Sequence, residues 1–351
     1  MATPNDLLTS LLREVSRSFY LTLRALPGAV RPAISLAYLL ARATDTIADT
    51  ELVPVEERLA ALARLRERIL GESKAPLDFT RFAATIAGPP NYRTEHAERT
   101  LLLRLEEALA VLAALPREDQ ERIRTVLGII TGGQELDLRR FELGRAPGVR
   151  RVGALRTQAE LDDYTYRVAG CVGEFWTATC RARLFPKAPL DDAWMREHGV
   201  RFGKGLQWVN ILRDLPADLS RGRCYLPAEE LAAVGLTPDD LLQAANAAHL
   251  RPLYQRELDL AGDHLAAGWA YTRALPRGQI RVRLACAWPI LIGVRTLALL
   301  REANPLAPVR VKVSRPEVRK ILLGTLFRCP WPRGWDALYR HASRPVGRGA
   351  T

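Results

Sequence analysis

The chain has 351 residues, 48% apolar and 26% charged, which is the balance of an ordinary globular protein and excludes a disordered or fibrous one. Lysine and arginine outnumber aspartate and glutamate 51 to 39, a net charge of +12 that attracts polyanions, anionic surfaces or phosphorylated substrates without choosing among them. The five cysteines, Cys171, Cys180, Cys224, Cys286 and Cys329, are odd in number, scattered and without CxxC spacing, so neither a disulfide framework nor a zinc site is expected and a reducing cytoplasm fits best.

At the N-terminus Asp6 precedes a short leucine-rich run that Arg13 ends. That is the wrong charge order and length for a secretory signal, so no export is expected. SRSFY, Ser16 to Tyr20, sets a hydroxyl, a cation and an aromatic side by side. Taken alone, it reads equally well as a helix N-cap with an aromatic in the core. From Pro32 to Asp49 the chain reads PAISLAYLLARATDTIAD, with proline at a plausible first helical position and an unbroken helical pattern behind it. Asp45 and Asp49, four apart, share one helix face and suit divalent cations. The apolar run before them predicts a helix buried on most sides.

Leu59, Leu62, Leu65 and Ile69 show the three- and four-residue spacing of amphipathic helix that dominates the chain. Gly and Pro break it at 71–79, 88–93, 144–153, 186–191, 220–227 and 304–308, none long enough for a domain linker. The expected fold is therefore all-α: one helical domain over 1–326, followed by a basic, aromatic tail over 327–351. In YTYRVAGCVG, Tyr164 to Gly173, small residues at 169, 170 and 173 interrupt a helical pattern. Glycine inside a helix is unfavourable by up to about 1 kcal/mol, and close helix approach, or room for a bulky ligand, is the natural compensation.

NILRDLPAD places Asn210, Asp214 and Asp218 on a second stripe that Gln207 extends backward, with Arg213 as a cation suited to a phosphate oxygen. Two oxygen-rich stripes suit magnesium bridged by a diphosphate. Pro216 removes a helical hydrogen bond to Leu212 and predicts a kink or an end before Asp218. Leu284 to Val294, bounded by Arg283 and Arg295, is shorter than the roughly 20 residues of a membrane span. VRVKVSR carries Arg310, Lys312 and Arg315, and no GxGxxG follows a strand, so any dinucleotide site is not of the Rossmann kind. In the tail, Trp331, Trp335 and Tyr339 alternate with arginines, a pattern for peripheral contact with an anionic membrane or for a loose terminus with a few aromatics docked on the domain.

SRSFY, DTIAD, YTYRVAGCVG and NILRD followed by RGRCYLP resemble, in order and spacing, the squalene and phytoene synthase family over roughly residues 14–320. The resemblance implies a single isoprenoid synthase helical bundle around a deep apolar cavity. It implies magnesium, or manganese in its place, on Asp45, Asp49, Asn210, Asp214 and Asp218, and diphosphate contacts from Ser16, Arg17, Arg42, Arg213 and Arg223. Phe19 matches an aromatic near the prenyl chain, Gln207 a polar residue beside the metal site, and Tyr164 the catalytic tyrosine. Lys312 and Arg315, together with Asn210, are assigned to NADPH.

The implied reaction joins two farnesyl diphosphates through presqualene diphosphate to squalene, with NADPH as reductant. Thr46 within DTIAD and the VKVSR segment favour this over a relative that omits reduction and releases dehydrosqualene, presqualene diphosphate or phytoene. Ala48 and Thr50 stand where squalene synthases of eukaryotes carry acids, so fewer carboxylates remain. A non-catalytic basic protein that binds nucleic acid or membrane would explain the charge but not the acidic stripes, since carboxylates repel polyanions. No nucleic-acid partner is expected, and the oligomeric state is not legible.

Overall fold

The structure, a computed structural model, describes residues 7–16, 19–86, 93–143, 151–328 and 332–344. The all-α expectation holds. Among these residues, extended pairing is confined to Gly153–Ala154 and Arg223–Cys224, which run parallel with Gly153 opposite Arg223 and Ala154 opposite Cys224. Backbone packing groups the chain into two compact units, Met1–Arg145 with Phe175–Lys187, and Ala146–Glu174 with Ala188–Thr351.

The first unit is organised around the helix Arg31–Ala48, which has proline in its opening turn. Leu36, Leu39, Leu40, Ala43 and Ile47 are fully buried, as a helix apolar on all sides requires. It packs on the helices Val55–Leu70, Leu105–Ala114 and Arg117–Phe141. Its C-terminal carbonyls lack partners within the helix. The buried Arg58 supplies one: its Nη1 donates to the Ala48 carbonyl at 2.7 Å while Nη2 pairs with Glu142. The cation also meets the negative end of the helix dipole, so the turn that carries Asp45 and Asp49 is held from behind.

In the second unit, the helix Asp192–Ser220 starts at an Asp191 N-cap, whose carboxylate accepts from the amides of Ala193 and Trp194. It packs on the helices Ala247–Ala274 and Ile280–Glu302. The expected end before Asp218 does not occur; the helix runs through Pro216 to Ser220. The reason is a substitute donor. Proline at 216 leaves the Leu212 carbonyl without its helical N–H, and the fully buried Tyr254 donates its hydroxyl to that oxygen at 2.9 Å.

Ile280–Glu302 is long and apolar enough by composition to cross a membrane, yet 72% of its most apolar window is buried within the protein. Cys171, Cys180, Cys224 and Cys286 are buried free thiols, and burial pushes Cys171 and Cys224 up to about 12. Cys329 lies outside the described residues.

Residue 326 lies within the helix Arg315–Arg328, and Pro332–Ala342 forms a further helix. Trp335 is 1% exposed. Its ring lies 5.3 Å from that of Trp269, under the Arg283 guanidinium at 4.7 Å, and Tyr339 also packs on Trp269. Trp335 is therefore committed to the protein and is not available to a membrane while packed there, whereas Tyr339 is half-buried against Trp269; Trp331 lies outside the described residues.

The proline substitute can be tested directly. Tyr254→Phe should lower unfolding stability by about 1–3 kcal/mol, the usual penalty for a buried polar group left unmatched, in a denaturant titration. An unchanged midpoint would mean that the Leu212 carbonyl finds another donor.

Candidate active site

In the first unit, Asp45 occupies the last turn of its helix and Asp49 is the C-cap, whose amide donates to the Asp45 carbonyl at 2.9 Å. Arg42, one turn earlier, donates through Nη1 to Asp45 Oδ2 at 2.7 Å and through Nη2 to Glu98. Burial, then the Asp49 carboxylate, push the Asp45 carboxyl up to about 7 against the opposing pull of Arg42. Its side chain is 43% exposed, so solvent tempers the burial contribution.

Phe19 stacks on Tyr38 of the same unit, with ring centroids 5.4 Å apart. Ser16 is buried at the end of the helix Leu12–Ser16, not at an N-cap, and its Oγ has no hydrogen-bond partner among the described residues. Arg17 lies outside the described residues.

In the second unit, the small residues of YTYRVAGCVG do what their pattern requires. A methyl group on Gly173 would lie 1.8 Å from the Gly199 carbonyl oxygen, and one on Gly203 would lie 2.1 Å from the Ala169 carbonyl oxygen. The backbones of 169–173 and 199–203 therefore touch in antiparallel register. One further turn along that register sets Tyr164 against Gln207, whose Nε2 donates to the Tyr164 hydroxyl at 3.4 Å. Asn210 donates in turn to the Gln207 carbonyl at 3.3 Å. The Tyr164 ring is buried and stacks on Tyr225 at 4.6 Å. Tyr225 directly follows the Arg223–Cys224 bridge, so the parallel pairing anchors both this stack and Arg223.

Asp214 lies one turn beyond Asn210 between two guanidiniums. Arg213 donates at 2.6 and 3.0 Å, and Arg310, from the 309–314 segment, pairs with it at 2.7 Å. Burial pushes the Asp214 carboxyl up, but the bonds from Arg213 and Arg310 outweigh it and hold the group below the usual carboxylate range. Asp218 stays on the same half-exposed stripe as Gln207, Asn210 and Asp214. Lys312 and Arg315 are exposed.

Among the described residues, no three His, Cys, Asp or Glu side chains gather closely enough to hold a metal ion unaided. Magnesium does not need that: it retains water and binds through one or two carboxylates plus substrate phosphates. The crowded charge of Asp45 and Asp49, with oxygen donors only, fits such an ion. Glu98 and Arg310 are the partners that sequence reasoning missed in these roles, because each meets its acidic motif from a distant point in the chain.

The sequence pattern of the squalene/phytoene synthase family matches residues 12–317. The chain is similar to presqualene diphosphate synthase of Sinorhizobium fredii, 31% identical over 84% of this chain and 88% of the relative, and to that of Rhodopseudomonas palustris, 30% identical over the same shares. It is also similar to the bifunctional lycopene cyclase/phytoene synthase of Blakeslea trispora, 27% identical over 96% of this chain but only 49% of the relative; the chain thus spans about half of that protein. In three dimensions it resembles TcSQS in complex with a ligand, with a TM-score of 0.76 and 20% identity over 99% of this chain and 94% of the other. A dehydrosqualene synthase in complex with a ligand gives 0.64 and 20% over 93% and 96%. These likenesses place the fold among helical isoprenoid synthases.

Gly173→Ala should force the two backbones apart. The expected result is a loss of about 1–3 kcal/mol or more, as for other overpacked contacts, seen as a lower melting temperature. A melting curve that matches the parent would show that the contact has slack.

Proposed function

The chain belongs to the squalene/phytoene synthase family, prenyltransferases that use prenyl diphosphates, and we propose that it joins two farnesyl diphosphates head to head into presqualene diphosphate. The observation that carries this reading is the buried Tyr164 hydroxyl, held by Gln207 on the same stripe as Asn210 and Asp214. The likeness to presqualene diphosphate synthases, over 84% of this chain and 88% of theirs, supports it.

The carbon–oxygen bond of the first substrate breaks, and the pair of electrons leaves with diphosphate. Arg213 and Arg223, with Arg42 of the first unit, are the cations assigned to that departing charge, and stabilising it is the main catalytic act. Magnesium held by the Asp45–Asp49 pair in the first unit, or by Asn210, Asp214 and Asp218 in the second, would neutralise phosphate oxygens. The double bond of the second substrate attacks the resulting allylic cation, and ring closure to the cyclopropane expels one proton. The Tyr164 oxygen accepts it while passing the hydroxyl's own proton to the released diphosphate. The Gln207 amide orients that oxygen by donating to it. Ser16 and Phe19 remain assigned to the substrate's head and chain.

A second reading adds NADPH-dependent reduction to squalene. It is favoured by the exposed Lys312 and Arg315, cations suited to the phosphates of the cofactor, and by Arg310 of the same segment reaching Asp214. Product analysis with farnesyl diphosphate and magnesium, with and without NADPH, separates the two. Presqualene diphosphate under both conditions supports the first reading; squalene appearing only with NADPH supports the second. Farnesol alone, with no thirty-carbon product, would overturn both.

Tyr164→Phe should slow presqualene diphosphate formation by about 10²–10⁴, the usual worth of a positioned proton-transfer group, while substrate still binds. A normal rate would remove Tyr164 from the mechanism. A cation seated on Asp214 must displace Arg310, so Arg310→Ala should tighten Mn²⁺ binding by about two- to fivefold, the scale of a half-exposed ion pair. Electron paramagnetic resonance of free Mn²⁺ reads this without turnover, and equal affinity would show that the two do not compete.

A further inference from the structure

Arg42 stands between two carboxylates that come from different helices of the first unit. On its own helix it reaches Asp45 one turn on, Nη1 donating to Oδ2 at 2.7 Å. Its Nη2 donates to Glu98 of the helix Arg93–Leu103, which packs on Arg31–Ala48. Ala97 and Leu101 of that helix are fully buried, so Glu98 is carried on a seated element. The side chains of Glu98 and Arg42 are 14% and 24% exposed against 43% for Asp45, which sets the ion pair behind and the aspartate in front.

The second acidic motif shows the alternative arrangement. There Arg213 closes on Asp214 with two bonds, Nε to Oδ1 at 3.0 Å and Nη2 to Oδ2 at 2.6 Å, the bidentate geometry that suits a guanidinium and a carboxylate. Arg42 meets Asp45 through one amino group only, because the other is committed to Glu98, and its Nε is buried without a hydrogen-bond partner among the described residues. An arginine drawn wholly onto Asp45 would cover the carboxylate that a divalent cation must take.

We propose that Glu98 is a positioning residue: it holds the Arg42 guanidinium back from the Asp45–Asp49 pair, so that a divalent cation can take Asp45 while Arg42 keeps its place as a cation for diphosphate. The role rests on the metal assignment made above and is exerted through Arg42. With Glu98 present, an incoming cation that takes Asp45 leaves Arg42 still paired. Without it, the same step strips a largely buried guanidinium of the carboxylate it is bonded to, and a buried charge left uncompensated is costly. Arg42 would then compete with the metal for Asp45.

Electron paramagnetic resonance of free Mn²⁺ over a double-mutant cycle tests it, with a melting curve for each protein. Glu98→Gln should weaken Mn²⁺ binding by about three- to tenfold, within the usual coupling of residues in one ion-pair network. Added to Arg42→Gln, the same substitution should change affinity by less than about twofold. Equal weakening in both backgrounds overturns the proposal, because Glu98 would then act on the cation by its own charge. Unchanged affinity in Glu98→Gln alone also overturns it, and a lowered melting temperature beside that result would make the pair merely structural. Should Glu98→Gln not fold, the double variant, which removes both charges together, is compared with Arg42→Gln: agreement upholds the role and a difference above about twofold overturns it. Asp45→Asn separates this role from the assignment beneath it. Parent affinity that Asp45→Asn leaves unmoved removes the metal from this pair and the proposal with it, whereas a loss at Asp45→Asn beside an unchanged Glu98→Gln refutes the role of Glu98 alone.

Discussion

Where a methyl group would fall within 2.1 Å of a neighbouring carbonyl oxygen, two backbones have no choice of spacing or register. The contacts of Gly173 with Gly199 and of Gly203 with Ala169 impose this on the second unit. Two antiparallel points define a line, and Tyr164 and Gln207 lie on its extension. The functional stripe of the helix Asp192–Ser220 is thereby indexed against the tyrosine by glycine, not by side-chain packing, which tolerates repacking far more readily. The Tyr164–Tyr225 stack and the short parallel bridge then fix the other side of the ring.

A second theme is that groups exposed by irregularities in the helices find partners in distant residues. Arg58 satisfies the carbonyl at the end of the Asp45 helix, and Tyr254 satisfies the one that Pro216 releases. Each is a single buried donor placed where a helix would otherwise fray or break. The Asp45–Asp49 motif therefore stands on a helix end held from behind, and the Asn210–Asp218 stripe on a helix kept continuous through Pro216; Asp45, Asp214 and Asp218 stay half-exposed and Asp49 exposed. The electrostatics differ between the two: Asp45 is crowded by another acid, whereas Asp214 is enclosed by cations.

How far the sequence could be read follows from the range of the interactions involved. Pro32, the apolar run and the DxxxD spacing are local, and the helix Arg31–Ala48 appears where they put it. The need for close approach at Gly173 is equally local, because glycine weakens a helix and is retained where a neighbouring backbone needs the space of a side chain. Pro216 misleads for the opposite reason: the proline is visible in the chain, but the hydroxyl that repairs its damage comes from Tyr254, 42 residues beyond the carbonyl it reaches. Glu98 meets Arg42 across 56 residues and Arg310 meets Asp214 across 96, so no local pattern announces either. That some terminal aromatics dock on the domain was legible, but not on which residue, because their partner, Trp269, belongs to a helix that composition does not connect to them.

The segment Tyr166–Gly170 is a π-helical turn inserted between the helices Gln158–Thr165 and Cys171–Leu184. On an unbroken α-helix, Tyr164 and Gly173 would point about 180° apart, nine residues at about 100° each. Both nevertheless meet the helix Asp192–Ser220. The wider turn, closing its hydrogen bonds five residues apart instead of four, absorbs the difference in phase. Insertions and deletions are consequently far more damaging here than substitutions. A descendant that lost one residue from 166–168 would keep the close-approach residues and still rotate its tyrosine away from Gln207, so this stretch should hold its length across lineages.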